Sequence, residues 1–255
     1  MIDLSGKVAL VTGGSRGIGA AIARAYAKAG ADVALTYLNA RPDAEDVGAD
    51  ILEMGRRALV LKADLSQSED VGLVVEAVTS ELGRLDIVVS NAAGGGFRAL
   101  LDVTPENLDY ALHLNVRAFL LLLQHSAAHL AREEGQPRSR VLTISSWGSE
   151  RALPMYGAIG ASKAALEAMT RHAALELGPR GVNVNCIRAG VVDTGALRSL
   201  PGVEAVLEER ARRSLTGRNV SPEDVADLAT FLASSMADQI QGQSLILDGG
   251  TSLHP

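Results

Sequence analysis

The chain has 255 residues, of which 47% are hydrophobic and 21% charged, and it carries a formal net charge of −6. That balance fits one enzyme-sized domain with a sizeable buried core and argues against disordered and fibrous classes; the acidic surplus argues against a general nucleic-acid binder. The single cysteine, Cys186, lies in the apolar run 182–187, which excludes a disulfide framework and a thiolate metal site and reads as a small buried hydrophobe.

The first predicted strand, 7–12, runs into Thr12-Gly13-Gly14-Ser15-Arg16-Gly17-Ile18-Gly19, and a helix is predicted over 17–29. A strand, a glycine-rich turn and a helix in that order form a cradle for a pyrophosphate. The glycines allow a sharp turn and close backbone approach, and the free N–H groups of the helix start favour an anion. Gly13, Ser15, Arg16, Gly17, Ile18 and Gly19 are therefore candidate cofactor-binding residues.

After the second strand, 32–37, comes Leu38-Asn39-Ala40-Arg41, without the carboxylate that would receive an adenosine ribose 2′-hydroxyl; Asp43 follows only after Pro42. Arg16 and Arg41, with Asn39 between them in sequence, offer guanidinium forks to a 2′-phosphate instead. NADPH is the cofactor this pattern predicts.

Further helices are predicted over 43–55, 68–82, 105–131, 156–178, 203–213 and 221–235, with strands at 58–61, 86–90, 140–144, 182–187 and 244–247. Most strands are continuous apolar runs, as expected where helices cover both sheet faces. The alternation predicts an α/β fold, a doubly wound parallel seven-stranded sheet in a Rossmann-type single domain over 1–255. Its ligand would lie beyond the carboxyl ends of the strands at the topological switch point. The apolar stretch 118–123 is far shorter than the roughly 20 residues that cross a bilayer, and the N-terminus opens on a strand-like run, so no membrane contact and a cytoplasmic location are expected. His113, His125, His129, His172 and His254 show no ligand spacing with acids or Cys186, so no metal is expected.

The glycine loop is followed in order by Ala63-Asp64-Leu65, Asn91-Ala92-Ala93-Gly94, Asn115, Ser145-Ser146, Tyr156 and Lys163, and Ala189-Gly190-Val191-Val192-Asp193-Thr194. This series resembles the short-chain dehydrogenase/reductase family over essentially the whole chain. The resemblance implies that Asp64 and Leu65 contact the adenine and that Asn91 and Ala92 support the cofactor floor. It also implies that Gly190 and Thr194 border the nicotinamide and that Lys163 holds its ribose.

Most of that family places the catalytic tyrosine four residues before the lysine, where this chain has Ile159; here Tyr156 stands seven residues before Lys163. On a helix both spacings share one face, and the longer one moves the hydroxyl by about 4.5 Å along the axis. The Tyr-x6-Lys spacing, with Ser149–Tyr156 around it, resembles the NADPH-dependent enoyl-acyl-carrier-protein reductases of fatty acid biosynthesis. It implies that Tyr156 donates a hydrogen bond to the oxygen of a trans-2-enoyl thioester, presented on acyl carrier protein or coenzyme A, as a hydride reaches the β-carbon. Ser146 matches the family's serine and either orients a carbonyl or caps a turn; Asn115 either holds a water or helix carbonyl near Lys163 or is a structural amide. Trp147 either walls a substrate channel or packs on a helix.

Two other readings stay open: a ketone reductase using Ser146 or the shifted tyrosine, and a protein that binds NADP(H) without turnover. The basic stretch 208–218 is a candidate contact for an acidic carrier or a coenzyme A phosphate, or a solvated helix face. Family relatives form tetramers through helices that correspond to 105–131 and 156–178, and Ala161, Ala164, Ala165 and Ala168 would allow close packing there; a homotetramer is implied.

Overall fold

Parallel backbone ladders join the strands, and the central ones divide their apolar side chains between two layers. In the computed structural model, which describes residues 2–195, 197–200 and 202–253, seven strands form one parallel sheet in the order β3-β2-β1-β4-β5-β6-β7. They are β1 (Val8–Val11), β2 (Asp32–Tyr37), β3 (Ala58–Lys62), β4 (Ile87–Ser90), β5 (Ser139–Ser146), β6 (Val182–Ala189) and β7 (Ser244–Leu247). His254 lies outside the described residues.

Along each central strand, successive side chains go to opposite faces. Ala9, Val11, Ile87, Val89, Leu142 and Ile144 enter one core with Ile22, Tyr26, Val47 and Val225. Val8, Leu10, Val88 and Val141 enter the other with Val75, Phe119, Leu122 and Leu166. The first layer is built by α1 (Gly17–Lys28), α2 (Arg41–Glu53) and α8 (Pro222–Ala233); the second by α3 (Ser68–Leu82), α5 (Ala118–Leu130) and α6 (Gly157–Leu177). This is the predicted fold, and it places the reversal of strand order between β1 and β4, so that the ends of β1, β4, β5 and β6 open on one rim.

The element boundaries that bear on the site differ from expectation at four elements. The predicted helix 105–131 is broken: α4 (Pro105–Leu112) begins at a Thr104/Asn107 capping box, a π-helical turn follows at His113–Arg117, and α5 then resumes. A π turn leaves the apolar periodicity almost unaltered while it redirects one side chain, here Asn115, into the interior. The helix predicted from residue 43 begins at Arg41, with Pro42 in its first turn, where a missing N–H costs nothing. Both β5 and β6 run two residues further than predicted, carrying Ser145, Ser146, Arg188 and Ala189 to the rim.

At the opposite rim the buried Asp86 carboxylate accepts from the Val8 amide at 2.9 Å, from both Arg84 nitrogens at 2.8 Å and from Arg132 at 2.7 Å, which ties β1 to β4. Among the described residues no helix is long and apolar enough to cross a membrane, and no group of three His, Cys, Asp or Glu could hold a metal ion.

Candidate active site

At the end of β1 the chain turns on the hydroxyl of Thr12. That oxygen donates to the Val89 carbonyl at 3.1 Å and accepts from the amides of Asn91 at 2.9 Å and Ala92 at 3.1 Å. The Asn91 amide group returns two bonds, to the carbonyls of Thr12 at 2.9 Å and Gly13 at 3.1 Å. The glycine loop is thus moored to the end of β4, and a Cβ at Gly13 would lie 3.0 Å from the Ala92 Cα. At Gly19 a Cβ would run into the Gly13 carbonyl and come within 2.5 Å of Asn91 Nδ2.

The helix start that follows suits an anion by its chemistry. Arg16, the N-cap of α1, makes no side-chain cap, and no acidic residue stands in the first turn. A pyrophosphate fits this cradle: glycine backbone on one side, uncapped N–H groups on the other. Ser15 and Ile18 are half-buried beside it. Gly17, at φ 55°, faces Thr194: a Cβ there would lie 3.3 Å from Thr194 Cγ2, and one at Gly195 would be 3.7 Å from the Arg16 guanidinium. Thr194 also accepts from the Leu197 amide at 3.3 Å, and Gly190 donates to the Leu247 carbonyl at 2.8 Å, close against Asp248.

The candidates for the adenosine end are more dispersed. Asn39 is exposed, and Arg41 sits on the first turn of α2 with its Nε 2.7 Å from Glu45. One oxygen of the Asp64 carboxylate is taken by the amide and hydroxyl of Ser66, at 3.0 and 2.7 Å, while Leu65 is buried. Arg117, from the π turn, donates to the Ser66 carbonyl and braces the same segment.

The third part of the rim gathers the residues that the sequence marks as catalytic candidates. The Tyr156 hydroxyl lies 2.8 Å from Ser146 Oγ. Its ring is 6.0 Å from that of Phe97, and the Arg98 amide donates to the Met155 carbonyl at 2.9 Å, so the 94–98 loop forms one wall. Tyr156 is the N-cap of α6 and not a residue within it, which corrects the reading of the Tyr-x6-Lys spacing as two positions on one helical face. Met155, in the left-handed region at φ 59°, makes the reverse turn that aims the ring. Ile159, at the usual tyrosine position, is buried, and a Cβ on Gly95 would come within 2.8 Å of its side chain.

Burial pushes the Tyr156 phenol above its ordinary pKa, with the Ser146 hydrogen bond opposing, so the group stays protonated and able to donate. Lys163 is buried in α6 and donates to the Ile144 carbonyl at 2.7 Å; burial pushes its pKa down to about 8, against the attraction of Cys186 and Glu167. Asn115 donates to the Gly94 carbonyl at 2.9 Å and to Ser162 Oγ at 2.7 Å and accepts from the Gly94 amide at 3.0 Å. It therefore clamps the 94–98 loop to the residue next to Lys163. Cys186 is buried as expected, its thiol pushed up to about 11 by desolvation.

Sequence reasoning missed the support behind this rim. Glu167, one turn beyond Lys163, accepts from Ser145 and Ser149 at 2.6 Å each and is paired by the Arg188 guanidinium, which also reaches Glu150. Burial pushes the Glu167 carboxyl up, but the bonds from Arg188, Ser145 and Ser149 outweigh it and hold it below the usual range. An acid in the buried stripe of α6 and an arginine within an apolar strand were the signals available. Trp147, buried, is covered by the Arg210 guanidinium of α7 (Val203–Arg213) at 4.5 Å, which joins the segment after β6 to the 147–149 turn.

Residues 13–252 match the family described as Enoyl-(Acyl carrier protein) reductase. The 1-cyclohexenylcarbonyl-CoA reductase of Streptomyces collinus is 35% identical over 253 residues, covering 97% of this chain and 87% of that protein. Hydroxynaphthalene reductase arp2 of Aspergillus fumigatus is 36% identical, covering 95% and 91%. Among solved structures, a short-chain dehydrogenase from Burkholderia cenocepacia in complex with NADP superimposes with a TM-score of 0.90 at 38% identity, over 98% of this chain and 99% of that one. A 7α-hydroxysteroid dehydrogenase complexed with NADH and 7-oxo glycochenodeoxycholic acid gives 0.89 at 32% identity, over 97% and 95%.

Proposed function

The chain belongs to the short-chain dehydrogenase/reductase family, and from that premise we propose that it reduces the carbon–carbon double bond of a trans-2-enoyl thioester with NADPH. One observation carries the reading: the hydroxyl that meets Ser146 belongs to Tyr156, while an aliphatic side chain, Ile159, fills the position from which the family's tyrosine serves a ketone.

NADPH, when bound, supplies the hydride. Tyr156 holds a proton toward the thioester oxygen, where negative charge grows as the β-carbon is reduced, and Ser146 fixes the direction of that hydroxyl. Lys163 presents a buried ammonium to the nicotinamide ribose side, and Asn115 keeps the 94–98 loop closed over Ser162 and α6. Asp64, Leu65, Asn91, Ala92, Gly190 and Thr194 line the cofactor in this reading. The name of the Streptomyces relative denotes an α,β-unsaturated thioester of coenzyme A, which is the same substrate class. The carrier or coenzyme A phosphate would meet the basic last turn of α7, with Arg210, Arg212 and Arg213. A homotetramer built on the α4–α5 and α6 faces would cover the exposed Leu108, Tyr110, Leu120 and Leu175.

Following NADPH absorbance with a trans-2-enoyl thioester and, in parallel, a β-ketoacyl thioester of equal chain length tests the assignment. Turnover of the enoyl substrate alone is expected. Turnover of the keto substrate alone overturns it in favour of a carbonyl reductase, the second reading, which Ser146 and the hydroxynaphthalene reductase relative support.

For the cofactor, Arg16 and Arg41 are the groups assigned to the 2′-phosphate; Arg41 would exchange Glu45 for it. Both guanidinium contacts are solvent-screened, and losing the two together in the Arg16→Ala/Arg41→Ala variant should raise KM for NADPH by roughly tenfold. KM for NADH should stay within about twofold by the same argument, because no group has been taken from the ribose itself. Equal losses for both cofactors would remove the assignment.

A further inference from the structure

Two glycines around Tyr156 are not explained by backbone conformation. Neither Gly148, in the 147–149 turn, nor Gly160, inside α6, has a positive φ, so an L-residue could adopt either backbone without strain. Gly160 weakens the first turns of a helix in which Ala would serve better. What both positions provide is room. A Cβ at Gly148 would overlap the Cδ1 and Cε1 atoms of the Tyr156 ring and lie 3.3 Å from Leu153 Cδ1. A Cβ at Gly160 would lie 2.5 Å from the Gly148 carbonyl oxygen and 3.5 Å from Tyr156 Cδ1.

The two are therefore stacked: Gly160 lets the 147–149 turn settle on α6, and Gly148 lets the ring settle on that turn. With the ring seated there, its hydroxyl stands 2.8 Å from Ser146 Oγ. The ring cannot slide away freely, because Phe97 lies on its flank and the Met155 turn fixes its Cα. A methyl group at 148 would tilt the ring and carry the hydroxyl off Ser146.

We infer that Gly148, supported by Gly160, is the positioning residue that admits a tyrosine seven places before Lys163 to the reacting centre. The inference rests on the proposed role of Tyr156. It makes position 148 a determinant of which oxygen in the substrate the Tyr156 hydroxyl meets, with residue 148 acting only from behind the ring.

The test is a double-mutant cycle of Gly148→Ala and Tyr156→Phe, run on whichever of the two thioesters the wild-type protein reduces. Gly148→Ala is expected to lower kcat by roughly 10- to 100-fold, approaching the loss caused by removing the hydroxyl, because misplacing a donor forfeits most of its worth. NADPH affinity, read by fluorescence, should move by less than about twofold, since the cofactor cradle is untouched. In the Tyr156→Phe background the same substitution should cost nothing further, which a general structural role would not produce. Equal losses in both backgrounds, full activity in Gly148→Ala, or full activity in Tyr156→Phe would each overturn the inference.

A second arm needs no substrate. Gly148→Ala should lower the thermal midpoint of the wild-type chain but leave that of Tyr156→Ala unchanged, because there the ring that the new methyl strikes is gone. If Gly148→Ala fails to fold and the double variant folds, the inference stands; if neither folds while Tyr156→Ala does, residue 148 serves the backbone and the inference falls. Exclusive turnover of the keto substrate would sink the enoyl assignment and leave this cycle fully readable.

Discussion

Tyr156→Phe is expected to reduce turnover of the thioester substrate by about 10²–10³-fold, on the order of 3–4 kcal/mol in the barrier, while leaving NADPH affinity nearly unchanged. The phenol is the donor aimed at the rim by the Met155 turn, and the ring that carries it is retained by Phe, so packing against Phe97 and the 147–149 turn is preserved. Only the hydroxyl and its bond to Ser146 are lost. The effect should fall on kcat and kcat/KM together, since the hydrogen bond strengthens as charge develops on the substrate oxygen. Because burial raises the pKa of the phenol, activity should show no loss of this donor at neutral pH. Steady-state kinetics on the enoyl thioester checks this. Full activity would mean that another group, with Ser146 foremost, provides the proton.

Replacing Lys163 by Met should move activity and stability in opposite directions. The ammonium is buried, has one hydrogen bond to the Ile144 carbonyl, and is held at a pKa of about 8, below its ordinary value. Its loss should cut kcat/KM by about 10²-fold or more, because the cation that the proposed function assigns to the nicotinamide ribose is removed. Folding, by contrast, should become more favourable, since an unbranched apolar side chain of similar length replaces a charge that the unfolded chain solvates better.

The pH dependence gives the sign. Between about pH 8 and the ordinary lysine pKa the unfolded chain binds a proton that the folded one has released, so wild-type stability rises with pH there. Below pH 8 the penalty is fully present. The stabilisation by Lys163→Met should therefore be largest below pH 8 and fade as the pH climbs toward 10.5. Catalysis should follow the other limb and decline in the wild-type protein as pH rises through about 8. Thermal unfolding at several pH values, paired with a pH–rate profile, measures both; a destabilised Lys163→Met variant across the whole range would show that the Ile144 bond outweighs the desolvation.

Much of this protein was determined locally. The seven strands could be read because they are short apolar runs, and in the central ones alternate residues feed two cores, a pattern that needs no knowledge of the partner strand. The Thr12–Gly19 loop could be read because glycine is required where backbone meets backbone, and the Gly13 and Gly19 contacts with Ala92, Asn91 and the loop itself bear the physical cost of any side chain. The order of strands about β1 and β4, and hence the rim on which Asn115, Ser146, Tyr156 and Lys163 gather, is the one expected where helical crossovers join parallel strands.

Tertiary structure decided the rest. Residue 156 counts as helical by spacing, yet the chain turns at Met155, φ 59°, and leaves Tyr156 outside α6 with its ring against Gly148 and beside Phe97. The π turn at His113–Arg117 is invisible to a 3.6-residue period, since one extra residue barely alters the apolar stripe; its reward is the bond set between Asn115, Gly94 and Ser162. Glu167 and Arg188 are 21 residues apart, and either alone looks like a misplaced charge in an apolar element. Pairing across α6 and β6 is what makes both tolerable, and a pair of that kind exists only once the sheet and helix have met.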